Sequence, residues 1–79
     1  MEGTNPTFKD WLLANYRGVD SPFGDLADDV ACVRDFPEVN DRETIYRYLL
    51  RRNACRECLA VFNAAWAAYA RYRRRQEHA

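Results

Sequence analysis

Hydrophobic side chains recur along this chain at intervals of three and four, the period of helices buried on one side. Polar and breaker residues divide the pattern into four segments. Phe8, Trp11, Leu12 and Tyr16 line one face of the first. Pro6-Thr7 opens it, since proline suits a first turn and a threonine hydroxyl caps one, and Arg17-Gly18 closes it. Ser21 before Pro22 reads as an N-cap followed by the first helical position. The second helix carries Phe23, Leu26, Ala27, Val30 and Val33 on one stripe and Asp25, Asp28 and Asp29 on the other side. Pro37 disfavours helical geometry at Phe36, which predicts an end near Asp35.

A third helix is predicted from an Asn40-x-x-Glu43 capping pair through Arg52, with Ile45, Tyr48 and Leu49 inward and Arg47 and Arg51 outward together. The fourth is the longest, from about Ala54 to beyond Arg74 with no glycine or proline inside it. Its inward stripe is Cys55, Cys58, Leu59, Phe62, Trp66 and Tyr69. Ala60, Val61, Ala64, Ala67 and Ala68 leave its other side flat, either because alanine favours helix or because another helix packs closely there. No stretch alternates with period two and no Asn-Gly or Asp-Gly turn joins two strands. The expected fold is all-α, a compact irregular four-helix bundle with a long C-terminal helix. It forms one domain over residues 1–79, with a core at 6–72 and frayed ends at 1–5 and 76–79.

The order of these landmarks resembles the YozE family of small bacterial proteins with a SAM-like (sterile-alpha-motif-like) fold. The residues that carry the resemblance are Phe8 with Trp11-Leu12, Pro22 with Gly24-Asp25-Leu26-Ala27-Asp28, Phe36-Pro37, Ile45 with Tyr48-Leu49, and Phe62, Trp66 and Tyr69. The resemblance implies a bundle ending in a long helix and implies no mechanism. SAM domains in the wider sense associate with other proteins, often head to tail, and sometimes with RNA. The Arg71–Arg75 end and the Cys55/Cys58 pair stand outside the family pattern.

The 79 residues hold twelve basic and twelve acidic side chains, so the formal charge is zero. Ten acids and four bases fall in residues 1–43, and two acids and eight bases in 44–79, a division of −6 and +6. Clustered charge of one sign creates a local potential that a zero total conceals. The division either cancels across the bundle or presents opposed patches to partners. A chain 48% hydrophobic is too apolar for a disordered tail. No apolar run approaches the roughly 18–20 residues of a membrane span, and residues 1–6 lack the order of a signal peptide, so the cytoplasm is the expected compartment.

Candidate chemistry is sparse. Cys55-Arg-Glu-Cys58 is a C-x-x-C, but a structural zinc site takes four ligands, and only Cys32 and His78 are left to complete one. Cys32 falls opposite the apolar stripe of its helix, and the βαβ setting of a thioredoxin-type site is missing, so the pair is expected to be buried, inert thiol rather than a redox pair or a metal site, with no cofactor. No phosphate loop and no nucleophile with a base beside it appear, which points away from an enzyme. The expected function is protein binding or self-association between an acidic face (Asp25, Asp28, Asp29) and a basic one (Arg47, Arg51, Arg71, Arg73, Arg74, Arg75). The alternative is nucleic-acid binding by the arginine-rich end, where Tyr72 interleaves the guanidinium groups. A small phage- or mobile-element-encoded inhibitor of a host protein is a third reading.

Overall fold

The computed structural model describes residues 6–78 of the chain. They form four helices and no strand: α1 (Phe8–Tyr16), α2 (Pro22–Cys32), α3 (Arg42–Arg51) and α4 (Arg56–His78). Residues 76–78, expected to fray, continue α4, while 1–5 and 79 lie outside the described residues. The starts of α1 and α2 follow the predicted caps. Thr7 Oγ1 accepts from the Asp10 amide at 3.2 Å, and Ser21 Oγ from the Gly24 amide at 3.1 Å. Each satisfies an amide that the helix itself cannot pair, which stabilises a helix start by about 1 kcal/mol.

The other boundaries move for tertiary reasons. α2 stops at Cys32 rather than near Asp35, because Val33 is already extended (φ −105°, ψ 144°). That early departure lets Phe36 turn back into the core, edge-on to the Tyr48 ring at 5.4 Å. α3 is capped by Asp41, one residue later than predicted. The Asp41 carboxylate accepts from the Thr44 amide at 3.3 Å and from the Thr44 hydroxyl. The Thr44 hydroxyl bond is the main reason that its pKa lies below the usual carboxylate value. Asn40 does not cap because its Oδ1 is engaged elsewhere, by the Phe8 amide at 3.2 Å and the Tyr69 hydroxyl at 2.8 Å. α4 begins at Arg56 rather than Ala54, after Asn53 takes a left-handed conformation (φ 60°) and the Ala54 amide donates back to Leu49 O.

α4 has 23 residues and so runs about 35 Å, close to the longest dimension of the molecule, 37 Å. α1, α2 and α3 all lean on it, and α1 also packs on α2. Tyr69, Phe8, Phe62, Leu12 and Ile45 are the largest fully enclosed side chains of the core. Phe8 sits at the centre, edge-on to Phe62 (5.5 Å) and to Tyr69 (5.7 Å), an arrangement that adds about 0.5–1.5 kcal/mol per pair to the area buried. Ala65, absent from the predicted stripe, is fully buried because it faces the bundle between Phe62 and Tyr69. The α1–α2 turn is closer still. A Cβ on Gly24 would lie 1.7 Å from Val19 O, so only glycine lets α2 start against the turn that precedes it.

Two outcomes follow from the hydrogen bonds of Asn40 and the burial of the tyrosines. Asn40→Ala strips an acceptor from both the Phe8 amide and the Tyr69 hydroxyl, and a urea melt is expected to show a loss of about 1–3 kcal/mol. Burial, first among the causes, raises the pKa of both Tyr48 and Tyr69. Because unfolded tyrosines ionise near about 10, their contribution to stability is complete below that pH and is lost as pH climbs through the higher folded-state values. Guanidinium melts across about pH 8 to 11 are expected to show that decline, and Tyr69→Phe to flatten it.

Candidate functional site: charged faces and two joined grooves

The charge division survives folding. Among the described residues the ion pairs are Lys9–Glu38 (3.6 Å), Arg42–Glu43 (3.3 Å) and Arg52–Asp35 (4.0 Å). Only the last joins the acidic half of the chain to the basic half. Asp25, Asp28 and Asp29 are exposed on α2, Arg47 and Arg51 on α3, and Arg71, Arg74 and Arg75 at the end of α4. None of them enters a described ion pair. The acidic three are not equivalent. Asp28 Oδ1 accepts from the Gly18 amide at 3.1 Å, where Gly18 holds φ 82°, and so fixes the α1–α2 turn. Asp25 and Asp29 make no such bond among the described residues and face the grooves beside α2.

The basic end also divides. Arg73 lies four residues after Tyr69, on the inward stripe, with its guanidinium carbon 5.7 Å from the centre of the Tyr69 ring. It is half-buried, and its Nε meets neither water nor a hydrogen-bond partner among the described residues. Arg73 therefore does not belong with the outward arginines, because the helical period that buries Tyr69 carries it inward as well. Tyr72 is half-buried too, stacked on Tyr69 at 6.3 Å and near Trp11 at 6.4 Å. An aromatic held in this way is not free to stack on a nucleic-acid base, so phosphate contacts by Arg71, Arg74 and Arg75 are what remains of that reading.

Two grooves open to solvent flank α2, of about 330 Å³ and 340 Å³. They share Leu26, Asp29 and Cys58, and so form one trough. Val30, Phe36 and Leu49 line its first half beside Cys32 and Arg52. Asp25 and Glu57 flank the second, beside Pro22 and Val61. No local sequence signal marks this trough, since it needs α2, the α2–α3 connection, α3 and the start of α4 at once.

The cysteines are placed differently from the sequence expectation. Cys55 is exposed and Cys58 half-buried, because α4 starts at Arg56 and leaves Cys55 ahead of the helix, at its cap. The Cys58 amide donates to Cys55 Sγ at 3.4 Å. Cys32, expected to lie apart, lines the same groove as Cys58. Among the described residues no three His, Cys, Asp or Glu side chains are grouped to hold a metal ion, and no helix is long and apolar enough to cross a membrane.

A family model described as YozE SAM-like fold matches residues 7–71, most of the chain. None of the curated proteins and none of the solved structures compared with the chain matches it. The matched residues contain the Gly24 contact, the Asp28 bond and Tyr69, and they stop short of Tyr72 and the arginines after it.

Alanine replacements on α2 are expected to separate anchoring from solvated carboxylates. Asp28→Ala loses the Gly18 bond and is expected to cost about 1–2 kcal/mol in a thermal or urea melt. Asp25→Ala and Asp29→Ala are expected to stay within about 0.5 kcal/mol of the parent.

Proposed function

We propose that this chain, which belongs to the YozE SAM-like family, is a non-enzymatic interaction module of the bacterial cytoplasm that binds protein through opposed acidic and basic helical faces. The observation that carries the reading is the charge left over after folding. Asp25 and Asp29 on α2, Arg47 and Arg51 on α3, and Arg71, Arg74 and Arg75 on α4 lie outside the described ion pairs. Exposed charge of one sign on one element and of the other sign elsewhere steers association and fixes its register more than it adds affinity. Opposed patches on one molecule also suit a head-to-tail contact with a second copy.

Sedimentation velocity at low and at high salt tests this. The parent is expected to associate at low salt and to dissociate as salt rises. Asp25→Asn/Asp29→Asn and Arg71→Ala/Arg74→Ala/Arg75→Ala are each expected to abolish association alone and to form a complex when mixed, since each retains the face that the other lacks. A parent that stays monomeric, and that retains no protein from a low-salt cell extract, overturns the reading. Recovery of nucleic acid, lost in the arginine variant, replaces it with phosphate binding at the end of α4.

A further inference from the structure

We propose that Cys55 and Cys58 form a dithiol–disulfide exchange site for low-molecular-weight disulfides of the glutathione kind at the start of α4, with Cys58 on the wall that the two grooves share. The geometry begins with chain position. Cys55 caps α4 and Cys58 lies in its first turn, with the Cys58 amide directed at Cys55 Sγ at 3.4 Å. Residues three apart in such a turn have Cα atoms about 5 Å apart, inside the roughly 4.4–6.8 Å that a disulfide spans. That spacing meets the Cα requirement for a bond between the two sulfurs.

The two thiols differ in the way such a pair requires. Cys55 is exposed and is the sulfur that a disulfide in solution reaches first. Cys58 is half-buried against Leu26 and Asp29, in a trough open to solvent and wide enough to take a small thiol compound. Burial, followed by the neighbouring Cys55 and Asp29 charges, pushes the Cys58 thiol up, which suits it to the second step rather than the first.

The exchange balances as follows. The Cys55 thiolate attacks one sulfur of R–S–S–R, forms Cys55–S–S–R and releases the first thiolate, RS⁻. Cys58 loses its proton to water and attacks the Cys55 sulfur, which forms the Cys55–Cys58 bond and releases the second RS⁻. Two electrons pass from the protein dithiol to the small disulfide, and the released thiolates take up the protons. Cys32 lines the same groove but sits at the last residue of α2, on a separate element, and takes no part in the exchange.

The test is equilibration of the full-length reduced chain with mixtures of reduced and oxidised glutathione, followed by alkylation, intact-mass measurement and peptide mapping. The parent and Cys32→Ser are expected to lose two alkylatable thiols together and to carry a Cys55–Cys58 bond. Cys58→Ser is expected to hold a glutathione adduct on Cys55 at least about tenfold longer than the parent, because an adjacent thiol resolves such an adduct at high effective concentration. Cys55→Ser, at an exposed position, supplies a variant whose folding is not in question and is expected to form no intramolecular bond. A long-lived single adduct on Cys55 of the parent, thiols that react independently, or a mapped Cys32–Cys58 bond each overturns the proposal.

Discussion

One side-chain carbonyl holds the bundle in register. Asn40 Oδ1, in the connection between α2 and α3, accepts from the first amide of α1 and from the hydroxyl of Tyr69 on α4. Three separate stretches of chain meet at that atom, next to the ring of Phe8, which itself contacts Phe62, Trp66 and Tyr69. The boundary of α3 follows from it. With Asn40 engaged, the first turn of α3 takes Asp41 as its cap, and Thr44 rather than Glu43 answers it. Asn40 itself is exposed, but the residues that donate to it, Phe8 and Tyr69, are fully buried; donors on such residues are costly when unpaired and directional when paired, so the bond favours one arrangement of the aromatic cluster among several that area alone would allow.

Most of the fold was legible because it rests on period and on local capping. The inward faces of α1 and α3 need only the spacing of Phe8, Trp11 and Leu12, and of Ile45, Tyr48 and Leu49, and all six are buried. Thr7 and Ser21 cap through bonds three residues long. The differences lie where a distant contact outweighs a local preference. Asn40 is a good cap that serves a partner 29 residues away instead. Val33 leaves its helix early because Phe36 has a place in the core. Cys55 has the right period for burial but stands before the helix that would bury it. Arg73 and Tyr72 look like part of a basic, aromatic tail, and the stripe that buries Tyr69 draws both inward.

The candidate sites share this dependence on assembly. Individually, Asp29, Arg52, Cys32 and Cys58 are a charge, another charge and two small thiols on three elements. Packing of α2 and α3 against α4 makes them neighbours around an apolar trough. The outward charges of α2, α3 and α4 are the converse case, since their segregation is set by sequence order and folding leaves it almost intact, with Arg52–Asp35 as the one described pair across the divide. Asp28 shows how closely the two roles can sit: one turn of α2 carries a carboxylate bonded to Gly18 and, beside it, Asp25 and Asp29 facing the grooves.

The Tyr69 hydroxyl touches two acceptors, Pro6 O and Asn40 Oδ1, but has a single proton to give. When it donates to Pro6, Asn40 still holds the Phe8 amide, and both carbonyls are served. When it donates to Asn40, Pro6 O loses this donor while the α2–α3 connection, already bonded to α1, gains a bond to α4 as well. The rotation of one O–H bond thus decides whether α4 is tied through this hydroxyl to Pro6, just ahead of α1, or to the connection between α2 and α3.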